Sequence, residues 1–329
     1  MTQTVGWGIL GTARIATKVA AAINAADHST VRAIGSRDAT RAAEWAAQHG
    51  AQVSYDSYEA VLDDPHVEAV YIPLPPALHH EWTLKAAAKG KHVLSEKPLA
   101  STVADAEEMV AACREHQVQL MDGVMWLHHP RAEDMKQLLG GEQLGTFRRF
   151  TSAFSFCWKT IPEGDLRLQR SLGGGSLLDL GWYCVGGSLW AFEKMPVRVV
   201  GHATWYNDID MNFSGTMWYD DGEVASFDTA FDTGMRRWFE VAGTEASLVC
   251  DDFTRPYQED KVRCWIHNPD GGVEHKSATP NQETCMIEDF NRIVRSKTLN
   301  DHWPGISLQT QIICDALDRS VRSEQPVTL

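Results

Sequence analysis

The chain reads as a two-domain α/β protein, with a doubly wound parallel sheet over residues 1–125 and an α+β domain with a large, mainly antiparallel open sheet over 126–329. Three observations predict this. A length of 329 residues is too great for one ordinary domain and comfortable for two. From Val5 to Val124 short apolar, β-branched runs alternate with helical patterns, as they do in βα units around a parallel sheet. Beyond Trp126 the runs take up period-2 alternation separated by hairpin-like turns.

Taken in order, VGWGIL is the first strand and Arg14 to Ala25 its helix. TVRAIGS is the second strand, and Asp38 N-caps a helix running through Gln48. VEAVYIPLP reads as a buried strand, Leu78 to Ala88 as a helix and HVLSEKP as a further strand. Thr102 caps a helix to His116, and VQLMDGVM closes the set. In the second domain a helix over Arg131 to Leu139 precedes the strand-like pieces FRRFTSAFSF, VRVVGHATW, SGTMWYD, EVASFDTAF and RRWFEVAG. Asp220-Asp221-Gly222 supplies a hairpin turn between two of them. Helices are expected over Leu177 to Ala191, Thr284 to Ser296 and Ile306 to Ser323.

Bulk properties exclude several classes of function. No apolar run approaches the roughly 20 residues that span a bilayer, and the N-terminal segment lacks the pattern of a secretory signal, so a cytoplasmic location is the default expectation. A net charge of -14, with no basic run to offset it, repels a phosphate backbone and argues against nucleic acid. The seven cysteines, from Cys113 to Cys314, include no CxxC pair and read as reduced structural thiols. His79-His80 and His128-His129 are adjacent in sequence and so point in different directions, and no metal site is expected.

The first chemical signal is Gly8-Ile9-Leu10-Gly11-Thr12-Ala13-Arg14-Ile15-Ala16, between the first strand and its helix. A dinucleotide pyrophosphate is held at such a place by free N–H groups and the helix dipole, as in a Rossmann fold. Read as GxGxxA from Gly11, the motif has Ala13 where a glycine is usual, and an ordinary tight βα turn is the competing reading. At the end of the second strand an NAD site places an acidic residue, whereas this chain has Ser36 and Arg37, with Arg41 a helical turn on. A hydroxyl and guanidinium groups suit a 2′-phosphate, so NADP is favoured and NAD remains possible; Asp38 is the residue that opposes this preference.

Glu96-Lys97-Pro98 puts Lys97 at the carboxyl end of a parallel strand, where ligands of doubly wound folds bind, with a Lys97–Pro98 bond that can be cis. In the second domain GGGSLLDLGWYCV leads a glycine loop into a helix that carries Asp179 and Tyr183 four residues apart, hence on one face of an otherwise apolar helix. A carboxylate and a phenol on that stripe need a polar destination, either a cleft or a structural Tyr–Asp hydrogen bond.

The order of GILGTARIA, YIPLPPALHHEWTLKAAAKGKHVLSEKPLA and GGGSLLDLGWYCV closely resembles the glucose-fructose oxidoreductase/inositol dehydrogenase/MocA family over nearly the whole chain, nearest its dihydrodiol and NADP-dependent aldose dehydrogenases. The resemblance implies an NAD(P)-dependent oxidoreductase acting on a sugar-like CH–OH group or its carbonyl, and a second domain whose sheet serves as an oligomer interface. It implies that Lys97 lies beside the nicotinamide and that Asp179 and Tyr183 face the substrate. Tyr183 would then exchange the proton of the reacting hydroxyl, Lys97 would stabilise its phenolate and Asp179 would orient a neighbouring hydroxyl. Much of the wider family has His at the position of Tyr183, while the sugar oxidoreductase and dihydrodiol branch has Tyr.

The full cofactor set is Gly11, Thr12, Ala13, Arg14, Ile15, Ser36, Arg37, Arg41, Leu74, Pro75, His79, Glu96 and Lys97. Trp126, Phe156, Trp158 and Arg167 join Asp179 and Tyr183 around the substrate. Two rival readings are a sugar–sugar oxidoreductase with tightly held NADP and a non-catalytic NADP- or sugar-sensing regulator, against which the joint presence of Lys97, Asp179 and Tyr183 argues.

Overall fold

The computed structural model describes residues 4–256 and 262–329. It divides into two compact units, 1–125 with 281–308, and 126–280 with 309–329.

In the first unit the strands are β1 (Val5–Leu10), β2 (Ser29–Gly35), β3 (Val53–Tyr55), β4 (Ala69–Ile72), β5 (His92–Ser95) and β6 (Leu120–Asp122). All pair in parallel, in the order β3-β2-β1-β4-β5-β6. This is the doubly wound order in which the chain reverses direction at β1, leaving a crevice at the carboxyl ends of β1 and β4. The helices are α1 (Arg14–Ala25), α2 (Ala39–His49), α3 (Tyr58–Asp63), α4 (His79–Ala88) and α5 (Val103–Glu115). Asp38 and Thr102 cap α2 and α5, each accepting from the backbone N–H three residues on. β3 and α3 have no counterpart in the sequence reading. β3 is a three-residue, half-buried strand at the sheet edge, too short to display a period.

The second unit contains α6 (Pro130–Gly140), β7 (Phe147–Cys157), α7 (Trp182–Phe192), β8 (Arg198–Tyr206), β9 (Ile209–Trp218), β10 (Val224–Ala230), β11 (Asp232–Gly243), β12 (Ser247–Cys250), β13 (Arg263–Asn268) and β14 (Gly271–Lys276). The chain ends with α8 (Gln282–Ser296), α9 (His302–Ser323) and β15 (Val327–Thr328). Among the described residues one sheet of nine strands, in the order β14-β13-β12-β11-β7-β10-β9-β8-β15, is antiparallel except where β7 meets β10. Asp220, Asp221 and Gly222 turn β9 into β10, with Gly222 donating to the Tyr219 carbonyl.

A break at 125/126 alone would leave 281–308 in the second domain, but these residues pack with the first unit. The cause is the apolar face of α8: Met286, Ile287 and Phe290 are fully buried in the cluster that holds Trp7, Ile9, Val19 and Ile23. Trp7 meets Phe290 at 5.0 Å between ring centroids and donates its indole N–H to Asn291 Oδ1 at 3.0 Å. Burying an apolar side chain of this size is worth about 2–3 kcal/mol, so α8 is anchored by several such contacts. Among the described residues no helix is long and apolar enough to cross a membrane.

Candidate active site

In the first unit the candidate cofactor residues gather at the carboxyl ends of the strands. Gly11 follows β1 with φ +106° and donates its N–H to the Gly35 carbonyl at 2.9 Å, tying the loop to the end of β2. A Cβ at Gly11 would sit 3.1 Å from Leu74 Cδ2, so the loop and the segment after β4 lie in contact. Ala13 opens α1 in extended geometry with no side-chain cap and no acid in the first turn, while Thr12 and Ile15 are half-buried and Arg14 exposed. Uncapped N–H groups and a positive helix end are what a pyrophosphate requires, and Gly11 leaves room for its approach. The side chain of Ala13 is compatible with this arrangement because the left-handed backbone falls on Gly11 instead.

At the end of β2 Ser36 is buried and its Oγ accepts from Asp38 N–H at 3.2 Å, whereas Arg37 and Arg41 are exposed. Asp38, the residue that stood against NADP, accepts from Arg41 N–H at 3.1 Å as the cap of α2. Its carboxylate thus has a helix end to serve, and the guanidiniums at 37 and 41 remain to face a 2′-phosphate. The residues present fit NADP.

His79 is fully buried, and its ring lies between two backbone carbonyls, Pro98 at 3.0 Å from Nδ1 and Leu74 at 2.8 Å from Nε2. Burial lowers its pKa, against the pull of the carbonyls. Its place is therefore beneath the site, linking the Leu74–Pro75 segment to the turn that carries Lys97, and no surface is left for direct contact with a cofactor. Lys97 is half-buried and joined to Pro98 by a cis bond. Glu96 accepts from the Tyr71 hydroxyl at 2.5 Å and lies against Gly123.

In the second unit the expected helix begins as a π-turn, Leu177–Gly181, that runs directly into α7. Asp179, Tyr183, Gly186 and Trp190 form its half-exposed stripe, while Trp182, Cys184, Val185 and Leu189 are buried. Single π-turns within helices are frequent at functional sites because they rotate the side chains that follow. The Tyr183 ring packs edge-on against Phe154 of β7 at 5.4 Å. Arg167 Nε donates to Asp179 Oδ2 at 2.7 Å, and the same guanidinium reaches Asp165, so both carboxylates hold its charge and raise its pKa. Phe156 and Trp158 are half-buried, 5.3 Å between ring centroids, and both pack at a tilt against Phe231.

Trp126 departs from its assignment to the substrate wall. It is 2% exposed and packs against Trp190, Phe253 and Phe239 in the interior of the second unit. An aromatic near a domain junction can serve either core or cleft, and here the core takes it. One residue absent from the sequence reading is Asp210, which is buried at the start of the π-turn.

An open parallel sheet with a glycine-led first turn and an uncapped helix behind it marks the first unit as dinucleotide-binding, and the carboxylate–phenol stripe in the second unit suits proton transfer. Together they define the class of nicotinamide-dependent oxidoreductases. The chain belongs to the GFO/IDH/MocA family: the oxidoreductase-family model with an NAD-binding Rossmann fold matches residues 5–124, and the GFO/IDH/MocA C-terminal domain matches 132–249. It is similar to D-xylose 1-dehydrogenase (NADP(+)) 2 of Haloferax volcanii, 39% identical over 247 residues and 74% of each chain. It is also similar to dTDP-3,4-didehydro-2,6-dideoxy-alpha-D-glucose 3-reductase of Actinomadura kijaniata, 40% identical over 96% of this chain and 95% of the relative. Among solved structures, a 3-ketoreductase from Actinomadura kijaniata in complex with NADP and TDP-benzene superposes with a TM-score of 0.89 at 28% identity, over 97% of this chain and 98% of the other.

Proposed function

We propose that this member of the family transfers a hydride between NADP and a CH–OH group, or its carbonyl, on a sugar or cyclic polyol, with Lys97, Asp179 and Tyr183 carrying the chemistry. The observation that carries the reading is the half-exposed stripe of Asp179 and Tyr183 on a helix whose residues Leu180, Trp182, Cys184, Val185 and Leu189 are buried. A polar pair in that setting is retained for a polar task.

Bound NADP supplies the two-electron acceptor, or donor, for the reacting carbon. Gly11, Thr12, Ala13, Arg14 and Ile15 would hold its pyrophosphate, Ser36, Arg37 and Arg41 its 2′-phosphate, and Leu74, Pro75, Glu96 and Lys97 its remaining edge. Tyr183 moves the proton at its phenol oxygen, taking it from a hydroxyl in oxidation and returning it in reduction. Asp179, fixed by Arg167, accepts from a second substrate hydroxyl and so orients the ring, while Phe156 and Trp158 offer apolar faces to it.

The support for NADP over NAD is that Asp38 caps α2 while Arg37 and Arg41 are exposed. The same reading has the chain self-associate through its large sheet, where Trp205, Tyr206 and Met235 are exposed, and work in the cytoplasm, where its seven free cysteines stay reduced. Light scattering at micromolar concentration tests the first of these, and a monomer would refute it.

Turnover tests the chemistry. A panel of aldoses, polyols and trans-dihydrodiols is screened with free NADP and NAD, and Tyr183→Phe and Lys97→Met are assayed with the best substrate. Tyr183→Phe is expected to lower kcat by about 10² or more with NADP affinity retained. The double variant should lose less than the product of the single effects, as residues that act as a unit do. Near-normal turnover in Tyr183→Phe would overturn the acid–base assignment, and reduction of free NADP over many turnovers excludes both a silent regulator and a cofactor locked in place.

A further inference from the structure

The helix that carries Asp179 and Tyr183 has no capping side chain of its own, since Ser176 at its N-cap is already in helical geometry. The cap comes from another element. Asp210, on β9, accepts at Oδ2 from Leu177 N–H at 2.7 Å and from Ser176 Oγ at 2.9 Å. Thr229, on β10, donates to Ser176 Oγ at 3.3 Å, so three buried polar side chains converge on the first turn.

The loop before the helix is shaped around this carboxylate. Gly175 has φ +119°, and a Cβ there would run into Asp210 Oδ1 and stand 3.0 Å from its Cγ. Any other residue at 175 would be strained in its backbone and would displace the acid. A carboxylate at a helix start is favoured by the dipole and by charge-assisted hydrogen bonds, and a buried one is costly without them.

We propose that Asp210 is the positioning residue of the reaction: its carboxylate seats the π-turn and thereby fixes the direction in which Asp179 and Tyr183 leave the helix. The proposal rests on the acid–base reading above. Leu177, whose N–H is held, stands two residues before Asp179 and six before Tyr183, so a slip of that turn moves both side chains. A misplacement of about 1 Å at reacting groups can lower a rate by about 10².

Burial raises the Asp210 carboxyl to about 6, against the hydrogen bonds from Leu177 N–H, Ser176 Oγ and its own backbone that favour the anion. The groups around it are Asp318, Arg322 and Cys314 of α9, with Asp208 and Arg170 beyond them. Arg170 and Arg322 both pair with Asp318, which moderates the repulsion that Asp318 exerts on Asp210. When the turn alone lets go, Asp210 stays buried on β9 and loses only the bonds that favour its anion, so seating weakens as pH falls through its titration, although the folded chain as a whole holds this proton more tightly than the unfolded one. In the reduction direction Tyr183 acts in its protonated form, so a fall of kcat on the acid side of about pH 6 is the signature expected of Asp210.

Hydrogen–deuterium exchange of the peptide spanning 176–183, which needs no substrate, is measured beside kcat and NADP KM in the full-length enzyme. Asp210→Ala is expected to speed exchange there by about tenfold or more, with the rest of the second unit protected as before. Its kcat should fall by about tenfold or more while NADP KM stays within about twofold. Asp210→Asn, neutral at every pH, should give a kcat and a protection of 176–183, corrected for the intrinsic pH dependence of amide exchange, that no longer change between about pH 5 and 7, where both are expected to fall with pH in the wild type. Unchanged exchange in Asp210→Ala, exchange raised throughout the unit, or a wild-type limb kept by Asp210→Asn would each overturn the proposal. Faster local exchange with unchanged kcat would also overturn it, and would place the fault in the roles given to Asp179 and Tyr183. Should Asp210→Ala fail to fold, the pH profile of Asp210→Asn decides.

Discussion

Replacing Asp210 by asparagine should change how the stability of the chain depends on pH, by an amount the structure allows to be worked out. Burial raises this carboxyl from 3.8 to about 6 in the folded chain, so the folded state holds its proton more tightly than the unfolded chain does. Between those values the folded state binds more protons, and the stability contributed by this group is complete below the unfolded pKa and lost as pH rises through about 6. A shift of about two units at 1.36 kcal/mol each makes the loss about 3 kcal/mol by pH 8. Asparagine cannot ionise and does not incur it. The amide at the crowded Oδ1 position against Gly175 adds an offset, but one that is the same at every pH. Melting temperatures of the two proteins, taken by calorimetry from about pH 4 to pH 8, are compared as a difference, so that titrating groups not coupled to Asp210 cancel. About 2 kcal/mol of this loss falls inside the measured range, so at about 2 °C per kcal/mol the difference should climb in favour of Asp210→Asn by about 4 °C, most of it between about pH 4 and pH 6. A difference that stays flat across this range would refute the reasoning, because it would mean that Asp210 titrates alike in the folded and unfolded chain.

Two further outcomes follow from the site and the core. Arg37→Ala should weaken NADP by about tenfold or more and leave NAD nearly unchanged, since only the former loses a charge-assisted bond. Titration of both oxidised cofactors checks this, and equal losses would refute it. Trp126→Ala should destabilise the second unit by about 3–5 kcal/mol, the usual result of emptying a large buried aromatic site. Denaturant unfolding checks this, and a near-neutral effect with a raised substrate KM would return Trp126 to the substrate wall.

Much of the fold was legible because local and global signals agree. The run Arg14–Ala25 has apolar residues at helical spacing, and α2 and α5 announce their starts through Asp38 and Thr102. β3 and α3 were not legible, since a strand of three residues carries no period and a six-residue helix little more. The amphipathic pattern of α8 was readable, but nothing in an apolar stripe says which sheet it will cover, and packing on Trp7 took 281–308 back to the first unit. Lys97, Asp179 and Tyr183 could be chosen from motif and spacing. Asp210 could not be chosen that way, because it acts through a strand 33 positions along the chain from Leu177. The available signal was indirect: an acid between the apolar residues Ile209 and Met211, and a third glycine at 175 with no evident task.

Of the helix starts in the first unit, α1 and α4 have no side-chain cap, but α4 continues directly from the turn Pro76–Leu78 and carries Glu81 in its first turn, so α1 offers the end suited to an anion. α2, α3 and α5 begin under side-chain caps from Asp38, Ser57 and Thr102. α1 begins at Ala13 with neither a cap nor a nearby acid, although a polar residue there would contribute about 1 kcal/mol. The omission is physically coherent with an anion at that end. A capping oxygen at position 13 would accept from the same N–H groups that a pyrophosphate needs, and a carboxylate would repel it. Gly11 serves the same purpose by placing the left-handed residue ahead of the helix, where its lack of a side chain keeps the approach open. In the second unit the logic is reversed: the helix that must present Asp179 and Tyr183 in one orientation is capped from outside by Asp210 and has no free end. A helix end left open binds a charge, and one held by a buried acid fixes a direction; the chain uses each where its chemistry requires it.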